Sequence, residues 1–265
     1  MNKKQGEFLK ENIYGHAKRL SWILSHLHQS DLIVEFGCGT GYMISLQLMK
    51  RGYLVYGLDT DEQSITLGQE LLNQEGFDPN RLKVMNLSGL NLNPDIIIAS
   101  EVLEHIPSKD LANIFSIIRN KLKPSGLLLI TVPNGYGWFE IESFLWFKAG
   151  IGRFLEKLKV GSLINKLKCI FFGKMIDFPF PSTLSSSHHI QRFTYFSIQE
   201  LLRDHGFEEV EMRGSVLIAG PFSNLFFTGL KPIMRLNCKL GEWFPKAASG
   251  FYVACRPCPE KKTVQ

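Results

Sequence analysis

The sequence predicts an α/β fold, with a doubly wound parallel sheet covered by helices on both faces. Two observations carry that reading. Short apolar runs alternate with amphipathic helical segments over residues 30–133, the pattern of successive strand–helix units. The first run ends in a glycine-rich turn, "LIVEFGCGTGYM", and the second ends in an acid, Asp59. That is the layout of a ligand site beyond the carboxyl ends of parallel strands.

A helix is expected over residues 5–29, where Phe8, Leu9, Ile13, Leu20, Ile23, Leu24 and Leu27 recur at three- and four-residue spacing. Leu32–Phe36 reads as a buried strand. Gly41–Arg51 reads as a helix stopped by Gly52, and Tyr53–Leu58 as the second strand. Asp61 is placed to N-cap a helix running to Gly76. Arg81–Met85 and Asp95–Ala99 read as further strands. "PSKDLANIFSIIRNKLKPSG" is a helix with its stop at Pro124-Ser125-Gly126, and Leu127–Val132 is a fifth strand. The alternation then breaks over 134–190, returns with the helix "SIQELLRDHG" and a strand from Glu208 to about Ile218, and breaks again over 221–246. Gly250–Cys255 is the last strand. One domain over residues 1–265, with insertions at about 134–190 and 221–246, accounts for this pattern.

Composition narrows the function. The chain has 265 residues, 45% hydrophobic and 21% charged, and a net charge of +5, too small an excess to argue for nucleic acid. Five scattered cysteines read as reduced thiols; Cys255 and Cys258 have the C-x-x-C spacing, but no second pair completes a zinc site. No metal is expected, although His188 beside His189 makes one imaginable. The first twenty residues lack the apolar core of a signal peptide, and no run reaches 18 uncharged apolar residues. A cytoplasmic protein is expected.

Gly37, Gly39 and Gly41 permit a sharp turn and a close approach of ligand to backbone. Asp59, ending the neighbouring strand, can accept both hydroxyls of a ribose. An NAD-dependent oxidoreductase wants a third fingerprint glycine where this chain has Tyr42, and an open helix N-terminus for pyrophosphate. Glu35, directly before the turn, would repel pyrophosphate but could face an ammonium. A ribose and an amino acid without phosphate describe S-adenosylmethionine. Cys38 then becomes a small residue inside a binding turn.

"VEFGCGTG" and "YGLD" resemble the first two motifs of the class I S-adenosylmethionine-dependent methyltransferases. "DIIIASEVLEHI", "KPSGLLLITVPN" and "HHIQRFTYFSIQELLRDHGF" are similar to later segments of a subgroup that includes the ubiquinone-biosynthesis O-methyltransferases; together the matches cover about 150 of the 265 residues. The resemblance implies a Rossmann-like seven-strand sheet with the last strand antiparallel and an inserted lid. It implies that Glu35, Gly37, Gly39 and Gly41 line the methionine portion, that Asp59 meets the ribose, and that Ser100 and Glu101 lie along the cofactor; Cys38 in the turn and Thr60 after Asp59 are expected among the cofactor-binding residues. "KRLSWI" points to Arg19 for the cofactor carboxylate. The acid the family usually carries after the third strand is missing from "VMNLSGLNL", leaving Asn86 or Ser88 to meet the adenine.

For the methyl acceptor, His105 in "LEHI" either faces the acceptor or packs behind it, and His189 matches the subgroup's later histidine. The acceptor is expected to be a hydroxyl on a small or lipid-linked molecule, with sugars or glycan precursors as the alternative and a silent cofactor-binding module as the non-enzyme reading. The stretch 143–176 carries seven bases against one acid, Glu156, interleaved with aromatic and aliphatic residues. Their helical spacing reads either as a lid over the site or as an interfacial helix on an anionic bilayer.

Overall fold

The computed structural model describes residues 11–172 and 189–258. Seven strands form one sheet: β1 (Leu32–Phe36), β2 (Leu54–Asp59), β3 (Leu82–Val84), β4 (Ile96–Ser100), β5 (Leu127–Pro133), β6 (Phe207–Gly214) and β7 (Gly250–Pro257). Their order is β3-β2-β1-β4-β5-β7-β6. The first five run parallel, and β7 lies antiparallel to both of its neighbours. This is the expected Rossmann-like arrangement.

Helices cover both faces: α1 (His16–Leu24), α2 (Ser45–Met49) and α3 (Glu62–Gln74) on one, α4 (Ser108–Lys121) and α8 (Tyr195–Asp204) on the other. The division follows from strand periodicity, because successive side chains of a strand point to opposite faces. Ile33, Val55, Ile96, Ile98, Leu129 and Ala254 pack with Leu20, Ile23, Leu46, Ile65 and Leu72 of the first layer. Val34, Leu58, Ile97, Ala99, Leu128, Ile130 and Val253 pack with Leu111, Phe115, Ile118, Ile198 and Leu202 of the second. Each fully buried aliphatic or phenyl side chain contributes about 1.5–3 kcal/mol of transfer free energy, and both layers share the central strands.

Boundaries shift where local geometry overrides periodicity. Among the described residues the helix expected over 5–29 is present as His16–Leu24, because Gly15 (φ 74°) breaks it and residues 11–15 form a turn; its residues 5–10 lie outside the described residues. The predicted helix over Gly41–Arg51 shortens to Ser45–Met49, its first turn consumed by the glycine loop. Asp61 does cap α3, accepting from Ser64 N at 3.2 Å.

Among the described residues both insertions are helical. The first holds α5 (Trp138–Ser143), a π-helical turn (Phe144–Lys148), α6 (Ile151–Lys157) and α7 (Val160–Phe172); the second holds α9 (Pro221–Phe227) and α10 (Lys231–Trp243). Two buried charges staple them together. Glu142 of α5 accepts from Ser223 N at 2.8 Å, Ser223 Oγ and Trp138 Nε1 at 2.5 Å. Lys168 of α7 donates to the carbonyls of Leu225 and Thr228 at 2.6 and 2.8 Å. The second insertion also holds the N-terminal segment: Ile13 N donates to Thr228 Oγ1, Asn237 Nδ2 to Ile13 O, and Lys18 Nζ to Ser215 O and Cys238 O.

Gly68 shows how closely α3 approaches the glycine loop. A Cβ there would lie 2.4 Å from the backbone oxygen of Thr40. Alanine ordinarily favours a helix interior over glycine by about 1 kcal/mol. Gly68→Ala is expected to reverse that sign and destabilise the protein by about 1–3 kcal/mol, read as a lowered midpoint in denaturant unfolding. An unchanged or raised midpoint contradicts the packing described here.

Candidate active site

A cavity of about 720 Å³ opens beyond the carboxyl ends of β1, β2, β4 and β5. Among the described residues it gathers Arg19, Glu35, Gly37, Cys38, Gly39, Asp59, Thr60, Ser100, Glu101, His105 and His189, eleven of the thirteen residues proposed from sequence. The other two lie off it. Gly41 packs behind the loop, where a Cβ would meet the Leu82 methyls at 3.0–3.1 Å. Ser88 is exposed and turns its hydroxyl onto Asn86 Oδ1 at 2.6 Å, so Asn86 and Met85 face the cavity instead.

The glycine loop is built around two carboxylates. Gly37 has φ 71°, and a Cβ there would run into Val102 at 2.2 Å; Gly39 has φ 54° and donates its N–H to Asp59 Oδ2 at 2.7 Å. Asp59 also accepts from Asp61 N at 2.9 Å, which fixes its carboxylate at the strand end. Glu35 is buried and holds Ser45 N at 2.9 Å and Ser45 Oγ at 2.5 Å. Burial raises its pKa from 4.5 to about 7, against the lowering pull of those hydrogen bonds and of Arg19. Cys38 is buried in the same turn, and desolvation first, then the Glu35 and Asp59 charges, push its thiol well above its usual range, so it is unreactive.

The central strands hold a second network. Glu101 follows β4 in a left-handed conformation (φ 55°), which a non-glycine residue adopts only when its surroundings enforce it. Thr131 of β5 supplies that enforcement: its carbonyl accepts from Glu101 N at 2.8 Å, and its hydroxyl donates to Glu101 Oε1 at 2.9 Å. Ser100 Oγ lies 2.8 Å from the same hydroxyl, and Arg19 Nη1 is 3.3 Å from Glu101 Oε1.

At the far end, the turn Leu103–His105 carries both candidate acceptor-side groups. Ile190 N and Gln191 N donate to Glu104 O at 3.0 and 3.1 Å, which brings His189 to His105 with ring centroids 5.1 Å apart. Glu104 is 1% exposed, and neither carboxylate oxygen has a hydrogen-bond partner among the described residues. Burial, with the Glu101 charge second, raises its pKa well above 4.5. One ligand atom from each of Glu104, His105 and His189 lies within 4.8 Å of the others, a carboxylate–imidazole set able to hold a divalent cation. His188 lies outside the described residues.

Tyr14, His16, Thr131 and Tyr252 complete the site and were not predicted. Tyr14 and His16 sit in "YGHAKR", where the three-residue spacing of His16 and Arg19 is a usable helical signal. Thr131 and Tyr252 reach the site only through the β4–β5–β7 pairing, which no local pattern reveals.

Residues 15–212 match the methyltransferase-domain family, and the chain belongs to it. It is 25% identical over 130 residues to the ubiquinone biosynthesis O-methyltransferase of Pasteurella multocida, covering 44% of this chain and 52% of that one. It is 27% identical over 110 residues to the ribosomal protein L11 methyltransferase of the same organism, covering 41% and 36%. The chain thus spans about half or less of the length of these curated relatives. A methyltransferase of Methanosarcina mazei shares the fold, with a TM-score of 0.55 at 21% identity over 90% of this chain and 98% of that one. So does the 1,6-didemethyltoxoflavin N1-methyltransferase of Burkholderia thailandensis, solved with S-adenosylhomocysteine, with a TM-score of 0.53 at 15% identity over 92% and 79%.

Glu35 generates a pH prediction. A carboxyl with a folded pKa near 7 and an unfolded value near 4.5 favours the folded state below about 4.5, and that contribution is lost as pH rises through 7. Between those limits it amounts to roughly 3 kcal/mol. Stability of the ligand-free protein, taken relative to Glu35→Gln, is expected to fall over this window. Ser45→Ala, which removes the lowering hydrogen bond of the Ser45 hydroxyl and keeps that of its backbone N–H, moves the titration higher by carboxyl 13C NMR. A Glu35 titrating near 4.5 contradicts this burial.

Proposed function

We propose that the protein is an S-adenosylmethionine-dependent methyltransferase acting on a small or lipid-linked acceptor, at a hydroxyl. The observation that carries the reading is the grouping of Glu35, Asp59 and Arg19 at one end of a cavity whose other end holds His105 and His189. Glu35 would face the cofactor ammonium, Asp59 and Thr60 the ribose hydroxyls, Arg19 the carboxylate, and Asn86 the adenine. Dinucleotide binding fits poorly, since pyrophosphate would lie against Glu35 and Asp59.

The sulfonium methyl is already activated, so the protein mainly aligns acceptor and donor for in-line displacement, worth up to about 7–11 kcal/mol. His105 or His189 would take the acceptor proton, a contribution on the order of 10²–10⁴-fold. A divalent cation on Glu104, His105 and His189 is a second route to the same end, favoured by buried Glu104 oxygens that have no hydrogen bond among the described residues, Oε1 lying 3.9 Å from His105 Nε2. Arg19 is the one lysine or arginine lining the cavity among the described residues. A phosphorylated glycan precursor would meet Glu101 and Glu104 rather than a base, so a neutral acceptor fits better.

The first insertion supports a membrane-surface role. Phe144, Phe147, Phe154, Leu158, Leu163 and Ile170 are all more than half exposed, and Lys148, Arg153, Lys157, Lys159 and Lys166 lie among them. Apolar anchors ringed by bases suit an anionic bilayer. Among the described residues no helix is long and apolar enough to cross a membrane. Lys174 of this stretch lies outside them.

Calorimetry with S-adenosylhomocysteine and NAD is expected to show binding of the first alone, and Asp59→Ala to weaken it at least ten-fold. Undiminished affinity of Asp59→Ala refutes the pocket assignment. Methyl transfer from labelled cofactor to a neutral hydroxylated lipid, run with and without EDTA, separates enzyme from silent binding module and the histidine route from the cation route. The triple variant Phe147→Ser/Phe154→Ser/Ile170→Ser changes exposed residues only. It should lose most of the pelleting with phosphatidylglycerol vesicles shown by the intact protein, and equal pelleting of the two would sink the membrane reading.

A further inference from the structure

His16 is a polar group in the cavity to which the proposed reaction assigns no role. It stands at the first position of α1, lines the cavity and stacks on Tyr14 at 5.9 Å. Its hydrogen-bonding state can be worked out from Asn12. Asn12 Oδ1 accepts from Tyr14 N at 3.0 Å and from His16 N at 3.5 Å, so the amide nitrogen is the atom turned toward the ring. That nitrogen lies 3.0 Å from His16 Nδ1. An amide nitrogen only donates, so Nδ1 must accept, and a neutral ring then carries its proton on Nε2. Burial, helped by the Arg19 charge, lowers the ring's pKa from 6.5 to about 3, so it stays neutral across working pH. The Nε2 hydrogen has no acceptor among the described residues.

Arg19 lies three residues further along the same helix face and lines the same cavity. Its guanidinium is already shared with Glu101 at 3.3 Å, so an incoming anion meets a cation that is partly compensated. Glu35 is close enough to Arg19 to feel its charge.

We infer that His16 binds the amino-acid portion of the cofactor, its Nε2–H donating to the carboxylate beside Arg19 while Glu35 holds the ammonium. The inference rests on the proposed cofactor. A neutral donor suits this position: it adds a hydrogen bond to a charged acceptor without a second positive charge next to Arg19 and the ammonium. Asn12 acts through it by fixing the tautomer.

The test compares two ligands sharing a nucleoside: S-adenosylhomocysteine, which has the amino-acid portion, and 5′-methylthioadenosine, which lacks it. By calorimetry, His16→Leu should weaken S-adenosylhomocysteine about ten-fold, the loss of one hydrogen bond to a charged group. It should leave 5′-methylthioadenosine unchanged. His16→Gln, whose amide N–H reaches near the Nε2 position, should recover most of the affinity. Imidazole 15N NMR of the ligand-free protein should show the proton on Nε2 alone. Unchanged S-adenosylhomocysteine affinity in His16→Leu, equal losses for both ligands, or a proton on Nδ1 each overturn the inference and leave the cofactor reading standing. Failure of the wild-type protein to bind S-adenosylhomocysteine overturns both.

Discussion

A carboxyl group buried near the end of β1 is costly unless something hydrogen-bonds it, and among the described residues Glu35 meets that demand through Ser45. Ser45 opens α2, so its N–H is one of the unpaired donors every helix start leaves. For Ser45 to reach back to β1, the intervening residues must fold tightly, and Gly37, Gly39 and Gly41 all take positive φ to do so. The loop then presents Gly39 N to Asp59 on β2, linking the two strand ends. Satisfying one buried carboxyl thus shapes the loop, shortens the helix behind it, and leaves an open concavity between β1 and β2.

The cavity's electrostatics follow from the same arrangement. Glu35, Asp59, Glu101 and Glu104 face a space served by one arginine. Arg19 lowers the Glu35 and Glu104 pKa values and pairs with Glu101, while burial raises both acids. The site is therefore short of positive charge. A ligand bringing its own cation relieves this, whereas one bringing phosphate aggravates it. A sulfonium nucleoside with an ammonium group has that character, and a dinucleotide does not.

Local patterns revealed the elements they govern. The strand–helix alternation over 30–133 followed from periodicity, since the inner strands β1, β4 and β5 are buried on both faces and the long helices α3 and α4 on one. The interruption of the expected 5–29 helix at residues 11–15 was not legible, because apolar spacing cannot register that Gly15 turns left-handed. Helical spacing was legible over 143–176, but the bounds of the helices there and those of 221–243 were not, for another reason. Their apolar faces are mostly outward, and what holds them is Glu142 and Lys168, polar contacts between segments some 60–80 residues apart. Site residues on the glycine loop were legible because the loop is contiguous. Thr131 and Tyr252 were not, because strand pairing brings them there. Ser88 was misassigned because Asn86 captures its hydroxyl locally, a preference short polar side chains share.

The two insertions and the N-terminal segment form a single shell over the sheet's ligand end. Thr228 and Asn237 hold Ile13, Lys168 holds Thr228 O, and Glu142 holds Ser223. Tyr14 and His16 lie just inside the shell and the exposed aromatic stripe of 144–170 just outside it. Hydrogen bonds of α7, α9 and residues 11–15 thus connect that outer face to groups lining the cavity. The donor side of the cavity is built on the rigid strand ends, and the acceptor side on turns fastened by a few hydrogen bonds to Glu104 O. Backbone pairing within the sheet thus fixes the end that carries Glu35 and Asp59, while the position of His189 beside His105 depends on the two hydrogen bonds that Ile190 N and Gln191 N make to Glu104 O.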